Sequence, residues 1–280
     1  MKTHLVKLIL ILPTLLWPSV SMATGKLLAT PGVSQVEGSG GGGLVPWAQL
    51  AGYASENEVA LSTFCSHAKV KDFKLNSCGS QINFYDRLEI SFAKQTFDVD
   101  PLAKTLTQNI IGAKVRLYGD LVYTPWPQLS AGIQHKSLAT KKIPYSLGAR
   151  NGSGTDVYLA ASKLHLGLLA GYNLLWNLSA RYTDANEMGL LGFGGPHSTH
   201  TLQTEASVAV LLNKHFALGT EYRQKPDNLG LNESDWQDVF IAWFPNKYIN
   251  VTAAYIDLDT ITNVADQTGW YLSISGSYSL

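Results

Sequence analysis

The sequence predicts an all-β chain, a transmembrane antiparallel up-and-down β-barrel of about 12–14 strands, with fourteen favoured. Three observations lead there. Residues 269–280, GWYLSISGSYSL, alternate apolar and hydroxylated side chains almost without fault. Charged residues make up 15% of the chain, against roughly 25% in soluble domains. Past residue 23 no apolar run approaches the ~20 residues that a membrane helix needs.

The C-terminal stretch carries the pattern most clearly. Trp270, Leu272, Ile274, Tyr278 and Leu280 share one face, with Gly276 as the gap. Tyr271, Ser273, Ser275, Ser277 and Ser279 share the other. Neighbouring side chains of a strand point to opposite faces. A wall with lipid outside and a polar lumen inside requires this division. A periplasmic β-sandwich is the competing reading.

Residues 1–23 read as a secretory signal peptide. Lys2 and Lys7 precede an apolar stretch from Leu8 to Val20, and Ser21-Met22-Ala23 supplies small residues at the cleavage site. Removing it takes away two bases and no acid, which leaves 19 Lys+Arg against 21 Asp+Glu. Without a basic excess, nucleic acid is not an expected partner. The expected location is the outer membrane of a Gram-negative bacterium, with outer-membrane lipid as one partner and small solutes as another. Residues 24–280 read as one domain.

Along that domain, residues 26–45 are either a first strand or a Gly-rich plug segment. Pro31 weakens the strand reading, because proline lacks a ladder donor. From Pro46 onward thirteen candidate strands follow, and adding 26–36 gives an even fourteen. If residues 26–43 fold inward instead, dropping one doubtful segment leaves twelve. The clearest segments are 87–97, 109–118, 173–184, 200–212, 216–225 and 249–255, where period two outweighs any helical spacing. A non-helical backbone in a bilayer must close on itself, since an open edge leaves peptide groups unsatisfied. Short links at 55–58, 85–87, 213–215 and 245–247 are expected on the periplasmic side. Longer ones near 98–108, 138–154, 185–199, 226–235 and 259–267 are expected outside. The short link at 69–73 and the long one at 119–126 depart from this division. Aromatic residues such as Trp176, Trp243, Trp270, Tyr182 and Tyr248 suit the two membrane–water interfaces.

Candidate functional residues fall in four groups. Glu89, Lys114, Arg116, Arg181, Glu205, Glu221, Arg223 and Lys225 are expected to face the lumen. They would line a solute path with opposing charged walls, or form a paired lattice that fills the lumen. Met188, Leu190, Leu191 and Phe193 sit among glycines in NEMGLLGFGGPHSTH. That loop would constrict the mouth, bind an apolar ligand or pack on neighbouring loops. Cys65 and Cys78 would lie directly opposite each other in a regular hairpin centred between Lys71 and Asp72, which allows a disulfide. His197 and His200 have a spacing that suits a metal, but no third ligand is near, and a solvated loop is the expectation. No catalytic, metal or cofactor motif is present, and no enzyme is expected. A hydrolase assembled from separate strands would require a serine–histidine pair on adjacent inner faces.

Several stretches carry a family resemblance: TGKLLATPGVSQVEGSGGGGLVPWA, IIGAKVRLYGD, MGLLGFGG, EYRQKPDNLG, DVFIAWFPNK and QTGWYLSIS. In order and spacing they resemble a group of Gram-negative exported proteins classed as a domain of unknown function, over nearly the whole mature chain. The resemblance brings no activity or catalytic residue. The leading expectation is a porin-like channel or transporter for small solutes. The alternatives are a closed barrel with a binding or structural role and, behind it, a membrane-embedded hydrolase. Oligomeric state and solute are not legible.

Overall fold

The computed structural model describes residues 25–197 and 200–280, with the side chain of Pro101 excepted. The signal peptide expected over residues 1–23 lies outside the described residues.

Two short strands come first. β1 (Val33–Ser34) and β2 (Gly40–Gly41) pair with each other, and Gly41 also bridges to Pro46. Twelve longer strands follow: β3 (Val59–Val70), β4 (Phe73–Phe84), β5 (Leu88–Val99), β6 (Lys104–Tyr118), β7 (Gln128–Leu138), β8 (Ser153–Leu169), β9 (Tyr172–Thr183), β10 (Thr201–Leu211), β11 (Phe216–Arg223), β12 (Trp236–Trp243), β13 (Ile249–Asp257) and β14 (Thr268–Ser279). Each pairs antiparallel with its sequence neighbours, and β14 pairs with β3 to close the barrel. Closure leaves no wall strand with an unpaired edge.

The strand count is twelve, not the favoured fourteen. Residues 26–36 do not join the wall, and neither do residues 46–54. Gly32 and Gly38 have φ of +75° and +101°, so the chain turns where an ascending strand would have to run straight. The peptide groups of 46–54 find partners on wall side chains instead of a ladder. Ala48 N donates to Ser162 Oγ at 2.9 Å, and Ala48 O accepts from Gln128 Nε2 at 2.7 Å.

The links sort by rim. One rim carries 85–87, 119–127, 170–171, 212–215 and 244–248; the opposite rim carries 71–72, 100–103, 139–152, 184–197, 224–235 and 258–267. These are called the short-turn rim and the long-loop rim below.

Period two along the strands produces two unlike faces. Leu178, Val239 and Ile274 point outward and are 59%, 57% and 55% exposed, while their neighbours Asn177, Asp238 and Ser273 are buried. Polar outward residues concentrate in the long-loop halves of β3–β6, as at His67, Asn76, Lys94 and Asn109. Rings gather near both rims. Phe216 stacks on Trp243 and Tyr248 on Tyr278 at the short-turn side; Trp270 meets His67 and Tyr182 meets His200 at the other. Cys65 and Cys78 are register partners on the outward face and are joined by a disulfide.

Candidate functional site

The lumen holds the chemistry. Between Lys26 and Glu56 the sequence carries one charged residue, Glu37, in a stretch rich in glycine and small side chains. Such a segment can enter a narrow barrel because its own side chains need little room. Residues 29–51 are buried almost throughout inside the wall. Val45, Ala48 and Leu50 are 0% exposed.

At the centre, Glu37 accepts a hydrogen bond from Arg223 Nη1 at 2.7 Å and is bonded to Lys136 Nζ. Arg181 lies 3.5 Å from it. Those three cations also meet two wall carboxylates. Asp156 sits 2.7 Å from Lys136 and 3.1 Å from Arg181; Glu205 sits 2.7 Å from Arg181 and 3.3 Å from Arg223. Three acids and three bases thus balance in one buried network. The inner segment supplies one acid, and β7, β8, β9, β10 and β11 supply the rest. Balance is the physical requirement, because a lone charge taken out of water is costly.

A second contact lies between β5 and β6. Glu89 accepts from the backbone N–H of Gly40 at 3.0 Å and of Ala51 at 2.7 Å. Its cross-strand partner Lys114, 3.4 Å away, donates to the carbonyls of Gly40 at 2.7 Å and Gln49 at 2.6 Å. On β11, Glu221 accepts from Leu44 N at 2.7 Å and from Ser207 Oγ at 2.8 Å. The glycine run explains how the segment comes this close. A Cβ added to Gly42 would stand 1.8 Å from Glu221 Oε1.

Each rim carries a smaller cluster. At the short-turn rim Asp86 binds Arg116 and Lys26, and Arg116 also reaches Asp120 at 3.1 Å. Burial works against the Asp120 charge, but the N–H groups of Tyr123 and Val122, and then Arg116, hold its carboxyl below the usual range. At the long-loop rim Lys225 lies 2.5 Å from Glu187 and 2.9 Å from Glu233. Burial, then the Glu187 carboxylate, pushes the Glu233 carboxyl up to about 9. Burial opposes the Lys225 charge, but the two carboxylates hold its ammonium above the ordinary lysine range.

The structure therefore brings Arg181, Glu205 and Arg223 together in one network, Glu89 and Lys114 in another contact, and sets Glu221 alone against the inner segment. Arg116 and Lys225 belong to the two rims. Of the apolar loop residues, Met188 and Leu190 face Val36 and Leu44 of the inner segment across a small chamber. Phe193 instead pairs with Asn151 and Ala185 and closes the loop layer above. His200 lies 3.7 Å from Asp184. Among the described residues no group of three or more His, Cys, Asp or Glu is placed to hold a metal, and no serine–histidine hydrogen bond is found. The sequence reading did not single out Glu37, Lys136 or Asp156. The signal was present. Five of the eight expected lumen charges are basic, and Glu37 is the lone charge of its segment.

The family model described as "Protein of unknown function (DUF3034)" matches residues 30–275, and the chain belongs to that family. No curated protein matches it. Among solved structures, it is similar to the KdgM porin at 10% identity, covering 78% of this chain and 99% of that one with a TM-score of 0.49. It is also similar to the outer membrane protein Omp33 of Acinetobacter baumannii at 7% identity, covering 80% and 100% with a TM-score of 0.48. An outer membrane channel from Pseudomonas putida F1 shares 13% identity, covering 80% and 96% with a TM-score of 0.44.

Proposed function

We propose that this DUF3034 member is an outer-membrane barrel of the porin-like kind whose path for small solutes is closed at rest by residues 29–54. In this reading those residues act as a plug, and passage requires them to shift. The outward apolar face between two sets of rim aromatics supports the membrane location, with the short-turn rim periplasmic. The observation that carries the reading is the seat of Glu37 among Lys136, Arg181 and Arg223. An ionic latch holds firmly while intact and loses most of its hold once one member is removed. An apolar plug bound only by packing would lack such a release point.

A second reading is a permanently closed barrel with a binding or structural role. The complete burial of Val45, Ala48 and Leu50 favours it. Planar-bilayer recording of the folded protein separates the two. The proposal expects little current from the wild type and frequent discrete openings from Glu37→Ala. A folded Glu37→Ala barrel that stays silent at every voltage would remove the transport reading and leave the closed barrel.

A further inference from the structure

We propose that the chamber between the inner segment and the 186–191 turn binds a neutral apolar small molecule that carries one hydrogen-bond acceptor. The proposal goes beyond solute passage and does not depend on it.

The lining sets the class. Val36 and Leu44 of the inner segment, Met188 and Leu190 of the turn, and Phe97 and Trp236 of the wall surround a void of about 40 Å³. A polar lumen is the rule for such barrels, so an apolar chamber inside one is a departure. Among the residues that line it, one buried side-chain polar group is left unmet. Trp236 is 4% exposed, and its indole N–H has no partner among the described residues. Indole only donates. A molecule that fits here should therefore bring an acceptor.

Charge at the chamber's edge argues for neutrality. Lys225 stands 5.2 Å from the centre of the Trp236 ring, but it is already shared between Glu187 and Glu233. Lys74, which also borders the chamber, is bonded to Asp100 at 3.0 Å. Arg223, 6.0 Å from the centre of the Trp236 ring, is held by Glu37 and Glu205, so each of these cations already has an acidic partner and none is left for a ligand anion.

The turn is strained. Glu187 and Met188 hold φ of 45° and 58°, the left-handed region that side-chain-bearing residues rarely occupy. Glu187 is held there by Lys225, and Met188 by a hydrogen bond from Gln108 Nε2 to its carbonyl at 3.1 Å. The void is well below the ~150 Å³ that accommodates benzene, so entry requires Met188 to move aside. Its unbranched thioether chain repacks readily.

Isothermal titration of the protein in lipid nanodiscs, with empty nanodiscs as blank, tests this. The probes are acetophenone and its isostere ethylbenzene, which lacks the acceptor. Saturable binding of both is expected, with acetophenone roughly 5-fold tighter, the worth of about one net hydrogen bond. Trp236→Phe should equalise the two by weakening acetophenone alone. Leu190→Trp should fill the chamber and abolish both, with thermal unfolding reporting that the barrel is intact. The proposal is overturned if the wild type takes up neither probe above the blank, if it binds both equally, or if a folded Trp236→Phe keeps the preference. Binding is read by heat and passage by current, so each proposal can fail without the other.

Discussion

Arg223 Nη1 donates to Glu37 Oε2 at 2.7 Å, which ties wall strand β11 to the inner segment across 186 positions of sequence. Arg223 Nε also lies 3.3 Å from Glu205, and Glu205 holds Arg181. Loss of any one member leaves the others buried with unequal charge.

Glu37→Gln should therefore destabilise the protein by about 3–5 kcal/mol, the range for breaking a buried ion pair by removing one partner. Urea unfolding in lipid vesicles measures it. Glu37→Gln combined with Lys136→Met restores the balance of charge and should recover at least half the loss. A single variant within ~0.5 kcal/mol of wild type would show that the network does not hold the segment.

Gly42→Ala places a methyl group against the Glu221 carboxylate. Overpacking of this kind costs about 1–3 kcal/mol. Glu221→Ser in the same chain should relieve most of it. The same substitution at Gly25, where nothing stands within 4 Å, should leave stability unchanged.

The wall was legible and the lumen was not, for a physical reason. Each wall strand carries its instruction locally, as one apolar and one polar face, so Leu174–Tyr182 or Trp270–Leu280 can be read alone. The inner segment has no such instruction. Leu44 and Ala48 are placed by Glu221 and Ser162, 177 and 114 residues away. Residues 46–54 fall in the stretch from Pro46 onward that the strand count includes, and adding 26–36 to it gives fourteen. The charges at Arg181, Glu205 and Arg223 are legible because they fall on the polar face of clearly alternating strands. Glu37 is not, because it lies in no alternating strand.

The long-loop cluster should respond to alkaline pH. A free glutamate titrates near 4.5, whereas Glu233 titrates at about 9 in the folded protein. A carboxyl raised in this way contributes its stability in full below about 4.5 and loses it as pH rises through about 9. Lys225, raised as well, keeps its charge across that window. The emission of Trp236, whose ring Lys225 faces, should therefore change between about pH 8 and 10. Glu233→Gln should flatten that change; an unaltered transition in the variant would assign it elsewhere.

The Cys65–Cys78 bridge closes a loop of 13 residues on the outward face. Chain entropy puts its contribution at roughly 3 kcal/mol. Cys65→Ser/Cys78→Ser should lower unfolding stability by up to that amount and leave bilayer currents unchanged, because the bridge faces away from the lumen.

Whether movement of residues 29–54 opens the lumen is tested most directly by pinning them. Ser34 Oγ and Ser275 Oγ lie 3.4 Å apart, on the inner segment and on β14. In a Glu37→Ala chain that also carries Ser34→Cys/Ser275→Cys, single-channel recording under oxidising conditions should give a flat baseline. Reductant should restore the openings of Glu37→Ala. Openings of undiminished size while residues 34 and 275 remain covalently joined would contradict a closure made by this segment.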